Sequence, residues 1–355
     1  MSSNTFSIAG RTIGPNSSPY VIAELSGNHN GDLDRALALI DAAHAAGADA
    51  IKLQTYTADT MTIDCDAPDF VIKGGLWDGY TLHALYEEAH TPWEWHGALF
   101  ERARRRGLQI FSTPFDATAV DFLEQFDVPA YKIASFELAD HELIRKVAAL
   151  RKPMIMSTGM ATLEEISDAV EVARSAGSEQ LCLLHCVSGY PTPVSEANLT
   201  TMQELRSRFD VVVGFSDHTL GTEAAVAAVA LGASVIEKHF TMCRADGGPD
   251  AAFSLEPKEL TLLVEQCRNA WEALGEPIFR RKSSEIGNLI FRRSIYSIED
   301  IPAGTMITEN NVRVIRPGYG IPPKEMPRIL GKRALRDIAR GTALRWELIE
   351  SDNSN

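Results

Sequence analysis

The chain has no apolar run approaching the roughly 20 residues that a membrane-spanning helix needs. Its first residues, Met1-Ser2-Ser3-Asn4-Thr5, lack a basic start followed by an apolar core, so no secretory signal is expected. Cysteine is scarce: Cys65, Cys182, Cys186, Cys243 and Cys267 are five and scattered. An odd, dispersed set argues against a disulfide framework and suits free thiols in the cytoplasm. Cys182 and Cys186 flank His185 in a buried-looking run, where core packing is a better reading than metal binding. Positive charge is also short. The 34 Lys+Arg face 48 Asp+Glu, a net charge of −14, which argues against a nucleic-acid partner. The deficit is uneven: residues 281–355 hold 13 basic and 9 acidic residues, leaving 21 and 39 for the rest. The two parts could attract each other. There is no Gly-rich dinucleotide loop after the first strand-like run and no Walker-type phosphate loop.

What the chain does have is a repeat. A short apolar run, a polar turn and a helical segment recur from Tyr20 to about Leu274. The strand-like runs are Tyr20–Ala23, Ala50–Leu53, Gln109–Phe111, Ala130–Ile133, Met154–Met156, Leu181–Leu184, Val211–Val213 and Ser234–Ile236. Residues Asp34–Ala46 carry helical spacing, with Gly47 where a left-handed cap belongs. Thr162 and Glu165 form a capping-box pattern. Strands alternating with helices over this length predict a (β/α)₈ TIM barrel, with a doubly wound open sheet as the rival. A long insertion, Tyr56 to Thr91, follows the second strand and should lie over the active face. The expected domains are a barrel over 1–280, a linker over 281–290 and a small loop-rich domain over 291–355.

The strand ends carry the chemistry expected of a barrel's C-terminal face. In order they are Glu24; Lys52 with Gln54; Thr113; Lys132 with Ser135; Ser157; Ser188 with Tyr190; Ser216 with His218; Glu237 with His239. Any one hydroxyl could be a turn former. A lysine on an inner rim is costly to desolvate unless it meets an anion. Lys52 with Thr113, Ser135, Ser157 and Ser216 therefore reads as a cradle for a small, highly charged anion such as a phosphorylated carboxylate. Glu24, Gln54, Tyr190 and the 247–250 loop suit a polyhydroxylated or acetamido sugar. His218 and His239, from adjacent strands and with a carboxylate beside one, suit a divalent cation that polarises a carbonyl.

Several motifs carry a resemblance. They include Asn28-His29-Asn30-Gly31, Lys52-Leu53-Gln54, Tyr131-Lys132-Ile133-Ala134-Ser135, Tyr190-Pro191-Thr192-Pro193, Ser216-Asp217-His218-Thr219 and Glu237-Lys238-His239-Phe240-Thr241. The chain resembles the nonulosonic acid (sialic acid) synthase family from about residue 18 to 350. Its tail resembles that family's antifreeze-like (SAF) domain, with Arg316-Pro317-Gly318 as marker. The resemblance implies condensation of phosphoenolpyruvate with an acetamido sugar aldehyde, releasing phosphate. It implies a divalent metal, manganese or magnesium, and a homodimer in which the small domain of one chain reaches the other's barrel. It assigns phosphoenolpyruvate to Lys52, Thr113, Lys132, Ser135, Ser157 and Ser216. His218 and His239 would hold the metal, with Glu237 orienting metal-bound water. Gln54, Tyr190, Asp250 and Glu24 would hold the sugar, Glu24 passing a proton to the new hydroxyl, and Arg316 would come from the partner subunit. Ser188 stands where the sialic branch has Asn. The segment around Trp77, with His90-Thr91-Pro92-Trp93-Glu94-Trp95-His96 and Arg244–Phe253, is similar to the pseudaminic acid branch. Trp77 is the expected sugar contact; the Trp93–His96 stretch has helix packing as its competing reading. Synthases acting on N-acetylmannosamine or the legionaminic precursor remain alternatives.

Overall fold

Inward-facing positions explain the architecture. In a strand every second side chain points the same way. Eight parallel strands close into one barrel: β1 (Tyr20–Glu24), β2 (Ala50–Thr55), β3 (Gln109–Pro114), β4 (Tyr131–Ile133), β5 (Met154–Ser157), β6 (Leu181–Cys186), β7 (Val212–Asp217) and β8 (Val235–His239). The computed structural model describes residues 6–351. Closure comes from β8 pairing with β1 in the register Val235↔Tyr20 to His239↔Glu24. This settles the barrel against the open sheet.

Each observed strand begins close to an apolar run of the sequence and most run on into polar residues. The lower inward layer is apolar, with Tyr20, Ile22, Ala50, Phe111, Ile155, Cys182, Leu184, Val212 and Val235 in one buried cluster. Two residues further along the same strands stand Glu24, Lys52, Thr113, Ser157, Cys186 and Glu237. At Gly214 a Cβ would sit 2.6 Å from Leu184 Cδ2, so the inner wall needs a glycine there.

The lower mouth is covered by an N-terminal antiparallel hairpin, Phe6–Ile8 with Arg11–Ile13. Its Phe6, Ile8 and Ile13 complete the lower apolar cluster. The turn residues Ala9 and Gly10 have φ of 47° and 80°, the two positive values that a tight two-residue hairpin needs. A larger cluster of aliphatic side chains lies between the outer faces of the strands and the surrounding helices. The first helix, Leu33–Ala45, is capped by Asp32, whose side chain accepts from the Asp34 and Arg35 amides. Thr162 and Glu165 form the expected capping box on Leu163–Ser175. The long insertion carries the helical segments Ala58–Met61 and Leu82–Ala89.

A second compact unit begins at Glu276. Residues expected to be linker hold a helical turn, Ser283–Ile286, and a 3-10 turn, Gly287–Phe291. Beyond them, Ser294–Ser297 pairs antiparallel with Val312–Ile315. This unit has its own core, including Ile295, Ile301, Ile307, Ile329, Ile338, Leu344 and Ile349.

Candidate active site

Four buried ionisable side chains meet at the upper end of the barrel: Glu24, Lys52, Lys132 and Glu237. Lys52 pairs directly with Glu24 and stands 4.0 Å from Glu237. Its ammonium donates to Thr113 Oγ1 at 3.2 Å. Lys132 lies 3.6 Å from Glu237, whose carboxylate also accepts from Ser216 Oγ at 3.1 Å. Burial works against charge on all four. For Glu237 the lysines Lys132 and Lys52 outweigh burial and hold its carboxyl below the usual range. For Glu24 burial prevails over Lys52, and its carboxyl is pushed up. For Lys52 burial is outweighed by Glu237 and Glu24, and its ammonium is held above its ordinary value. For Lys132 burial wins and the value falls. The hydroxyls sit beside this group. Ser157 Oγ is buried with no hydrogen-bond partner. Ser135 Oγ accepts from the Gly159 amide at 3.0 Å. A Cβ on Gly159 would lie 2.8 Å from that oxygen, so the glycine lets the two loops meet. An orphaned buried hydroxyl, on the strand next to the one that carries Lys132, is free to donate to an oxyanion.

The two expected metal ligands are together. The His218 and His239 rings stand 5.3 Å apart, centre to centre. His218 Nδ1 donates to the Val187 carbonyl at 3.0 Å, which leaves the Nε2 lone pair free. Burial and His218 hold His239 well below the ordinary histidine value. Its Nδ1 is buried with no hydrogen-bond partner, 3.6 Å from Asp250 Oδ2. For His218 burial is outweighed by Cys186 and the Val187 carbonyl, and the value rises. Asp250 is thus a second carboxylate beside the pair, next to His239, while Glu237 acts on His218 and also faces the two lysines. Among the described residues no group of three or more His, Cys, Asp or Glu side chains forms a metal cage. Two imidazoles with an unsatisfied ring nitrogen fit a cation that keeps positions open for water and substrate.

Behind the histidines is a fully buried ion pair that alternation points away from the site. Lys238 lies 2.8 Å from Asp217, and its ammonium also donates to the Thr219 carbonyl. Asp217 accepts from the Thr219 amide at 2.8 Å. Each partner is the chain neighbour of one histidine, so the pair ties together the two strand ends that carry them.

Next to the histidines opens a cavity of about 330 Å³. Its lining is mixed: polar groups come from Ser26, Gln54, Glu137, Tyr190, His239 and Asp250, and apolar surface from Met61, Ile72, Trp77, Leu82, Tyr86 and Phe136. Gln54 donates to Glu24 Oε1 and Ser26 Oγ, both at 3.2 Å. Trp77 donates through Nε1 to the Pro249 carbonyl at 2.9 Å and lies 5.7 Å from the Tyr190 ring. Tyr190 in turn lies 4.5 Å from His218. Trp93 instead stacks on Phe122 at 4.4 Å, and His96 is buried against Thr55; that stretch is packing.

Several neighbours fall outside the expected set. Ser26 and Glu137 lie in turns beyond their strands, where alternation no longer gives a side chain's direction, so no periodic signal marks them. Burial pushes Glu137 up to about 7. Phe253, 4.8 Å from His239, carries no such signal. Arg316 belongs to the second unit, just after Val312–Ile315. Nearby, a Cβ on Gly318 would lie 2.8 Å from the Leu289 carbonyl.

Comparison with known proteins places this architecture. The model of the NeuB family matches residues 39–279. The chain belongs to the NeuB family. The SAF domain model matches residues 292–350. Within NeuB relatives, a pseudaminic acid synthase of Campylobacter jejuni is 46% identical, over 92% of this chain and 95% of that protein. An N,N'-diacetyllegionaminic acid synthase of Legionella pneumophila is 37% identical, over 94% of this chain and 95% of that protein. Among solved structures, the N-acetylneuraminic acid synthetase of Leptospira borgpetersenii, a complex with citrate, matches with a TM-score of 0.72. It is 33% identical and covers 80% of this chain and 94% of that one. The NeuB match begins after β1, yet β1 supplies Glu24, which the barrel's closure sets beside His239.

Proposed function

We propose that the chain is a pseudaminic acid synthase. It joins phosphoenolpyruvate to the open-chain aldehyde of 2,4-diacetamido-2,4,6-trideoxy-L-altrose. The observation that carries this is the division of one site into a lysine-hydroxyl pocket and a half-apolar cavity, with two histidines where they meet. Lys52, Lys132, Thr113, Ser135, Ser157 and Ser216 hold phosphoenolpyruvate by charge-assisted bonds. Gln54, Tyr190, Asp250, Trp77 and Glu24 hold the sugar. C3 of phosphoenolpyruvate forms a bond to the aldehyde carbon. The aldehyde oxygen takes a proton, for which Glu24, with its raised carboxyl, is the source. Water adds at C2, oriented by the Glu237 carboxylate, and phosphate leaves with its bridging oxygen. His218 and His239 would hold a divalent cation, manganese or magnesium, which when bound supplies Lewis-acid polarisation of the carbonyl.

The second unit supplies Arg316, and we place that residue in the sugar site of the partner subunit of a homodimer. No helix among the described residues is long and apolar enough to cross a membrane. The five cysteines are free, which supports a cytoplasmic enzyme.

The test follows the bridging oxygen. Phosphoenolpyruvate labelled there with ¹⁸O should deliver the label to inorganic phosphate, in step with formation of the nine-carbon acid. Label kept in pyruvate, with no new carbon–carbon bond, would mean a phosphatase or aldolase on the same barrel.

A further inference from the structure

The segment that follows β1 directs most of its polar groups at one other loop, the one between β8 and the helix Pro257–Leu274. Asn28 is fully buried. Its Nδ2 donates to the Phe240 carbonyl and to Ser254 Oγ, both at 2.9 Å, at the two ends of that loop. Ser254 Oγ donates onward to the Asp250 carbonyl at 2.6 Å. Asn30 Nδ2 donates to the Gly247 carbonyl at 3.1 Å. Arg35 makes three contacts: Nε to the Asn28 carbonyl at 2.8 Å, Nη1 to Asp246 at 2.6 Å, and Nη2 to Thr241 Oγ1 at 3.3 Å.

Two features set this apart from ordinary loop packing. Arg35 stands in the first turn of the helix Leu33–Ala45, where a cation meets the positive end of the helix dipole and is disfavoured. Ser26 and Asn30 hold left-handed backbone, with φ of 50° and 51°, a conformation that asparagine tolerates but that costs Ser26 free energy and persists there where surroundings enforce it. The outcome of both lies in the cavity. Ser26, held in that conformation, hydrogen-bonds the Asp250 carboxylate. Asn28, Asn30 and Arg35 themselves do not line the cavity.

We propose that Arg35, with Asn28 and Asn30, is a positioning residue that clasps the 240–254 loop and fixes Asp250 in the sugar site. This rests on the reading of Asp250 as a sugar ligand. The guanidinium acts on a carboxylate it never touches, through the loop that carries it.

The experiment compares Arg35→Ala, Arg35→Lys, Asp250→Ala and the Arg35→Ala/Asp250→Ala double variant in the full chain. It measures KM for the diacetamido sugar and for phosphoenolpyruvate, together with the thermal midpoint. Arg35→Ala should raise the sugar KM about tenfold, since a displaced ligand loses one charge-assisted contact. The phosphoenolpyruvate KM should stay within about twofold, because the lysine pocket is built on other strands. Arg35→Lys should fall between, and the double variant should be no worse for sugar than Asp250→Ala alone. An Arg35→Ala variant that lowers only the thermal midpoint, or raises both KM values together, overturns the clasp while leaving Asp250 in place. A normal sugar KM in Asp250→Ala overturns both readings. If Arg35→Ala does not fold, Asn30→Gly, which keeps the left-handed backbone unstrained and removes the side-chain bond to the Gly247 carbonyl, should give the same sugar-specific rise at smaller amplitude; no such rise there overturns the proposal.

Discussion

His218 and His239 differ in how each meets a proton. His239 is held neutral by burial, and His218 is held above the ordinary value by Cys186 and the Val187 carbonyl. A metal must displace the proton from His218. Manganese affinity should therefore fall as pH drops through a range above the ordinary histidine value of about 6.5. His218→Ala or His239→Ala should reduce bound manganese from about one per chain to near zero without unfolding the barrel, since a two-histidine site that loses one ligand loses most of its affinity. Unchanged metal content and turnover in both variants would contradict the assignment. Lys52 permits a separate prediction. Its ammonium is in contact with Glu24 and stands 4.0 Å from the Glu237 carboxylate. Lys52→Ala should raise the phosphoenolpyruvate KM about 10- to 100-fold, the loss of a charge-assisted contact worth roughly 1.5–3 kcal/mol. Initial-rate kinetics with sugar saturating would check this. Most of these residues are legible in the sequence because β-alternation and barrel geometry fix where a residue at a strand's end must point. Phe253 and Phe136 are not legible, since an aromatic in a loop has no periodic neighbours to give its direction.

At the scale of elements, the strand ends of β7 and β8 are tied together by a buried ion pair. Asp217 and Lys238 are completely buried behind them. Lys238→Met should cost about 3–5 kcal/mol, because Asp217 is left buried and uncompensated. Asp217→Asn/Lys238→Met should recover much of that stability in urea unfolding, while manganese affinity stays lowered because the strand ends are no longer tied. Full recovery of both would mean that the pair has no part in setting the histidines. This pair shows the limit of sequence reading. Alternation assigns Asp217 and Lys238 to the outer face, but the neighbours there come from other strands and helices. The N-terminal hairpin is hidden for a local reason: Ala9 at positive φ is not a residue that marks such a turn. The eight strands and the first helix's cap are visible because each rests on short-range pattern alone. The closure of β8 on β1 is only implied by the strand count.

At the scale of the whole molecule, the barrel holds every catalytic candidate but Arg316. Mixing Arg316→Ala chains with His218→Ala chains should restore part of the activity after subunit exchange, because each mixed dimer then has one site free of both lesions. No recovery would assign Arg316 to its own barrel or to none. The cavity lining decides which sugar enters. Trp77, Tyr86, Phe136, Leu82 and Met61 contribute apolar surface to the cavity. A methyl group is at home against it, whereas a hydroxymethyl would lose water without gaining a partner. That difference is worth about 1–3 kcal/mol, or roughly 10- to 200-fold in specificity. The direct measurement is the ratio of kcat/KM for 2,4-diacetamido-2,4,6-trideoxy-L-altrose to that for N-acetylmannosamine, with phosphoenolpyruvate and manganese saturating. The ratio should lie within that range and shrink in Trp77→Ala. A ratio below one, with N-acetylmannosamine the better acceptor, would contradict the pseudaminic reading and make the chain a synthase for another nonulosonic acid.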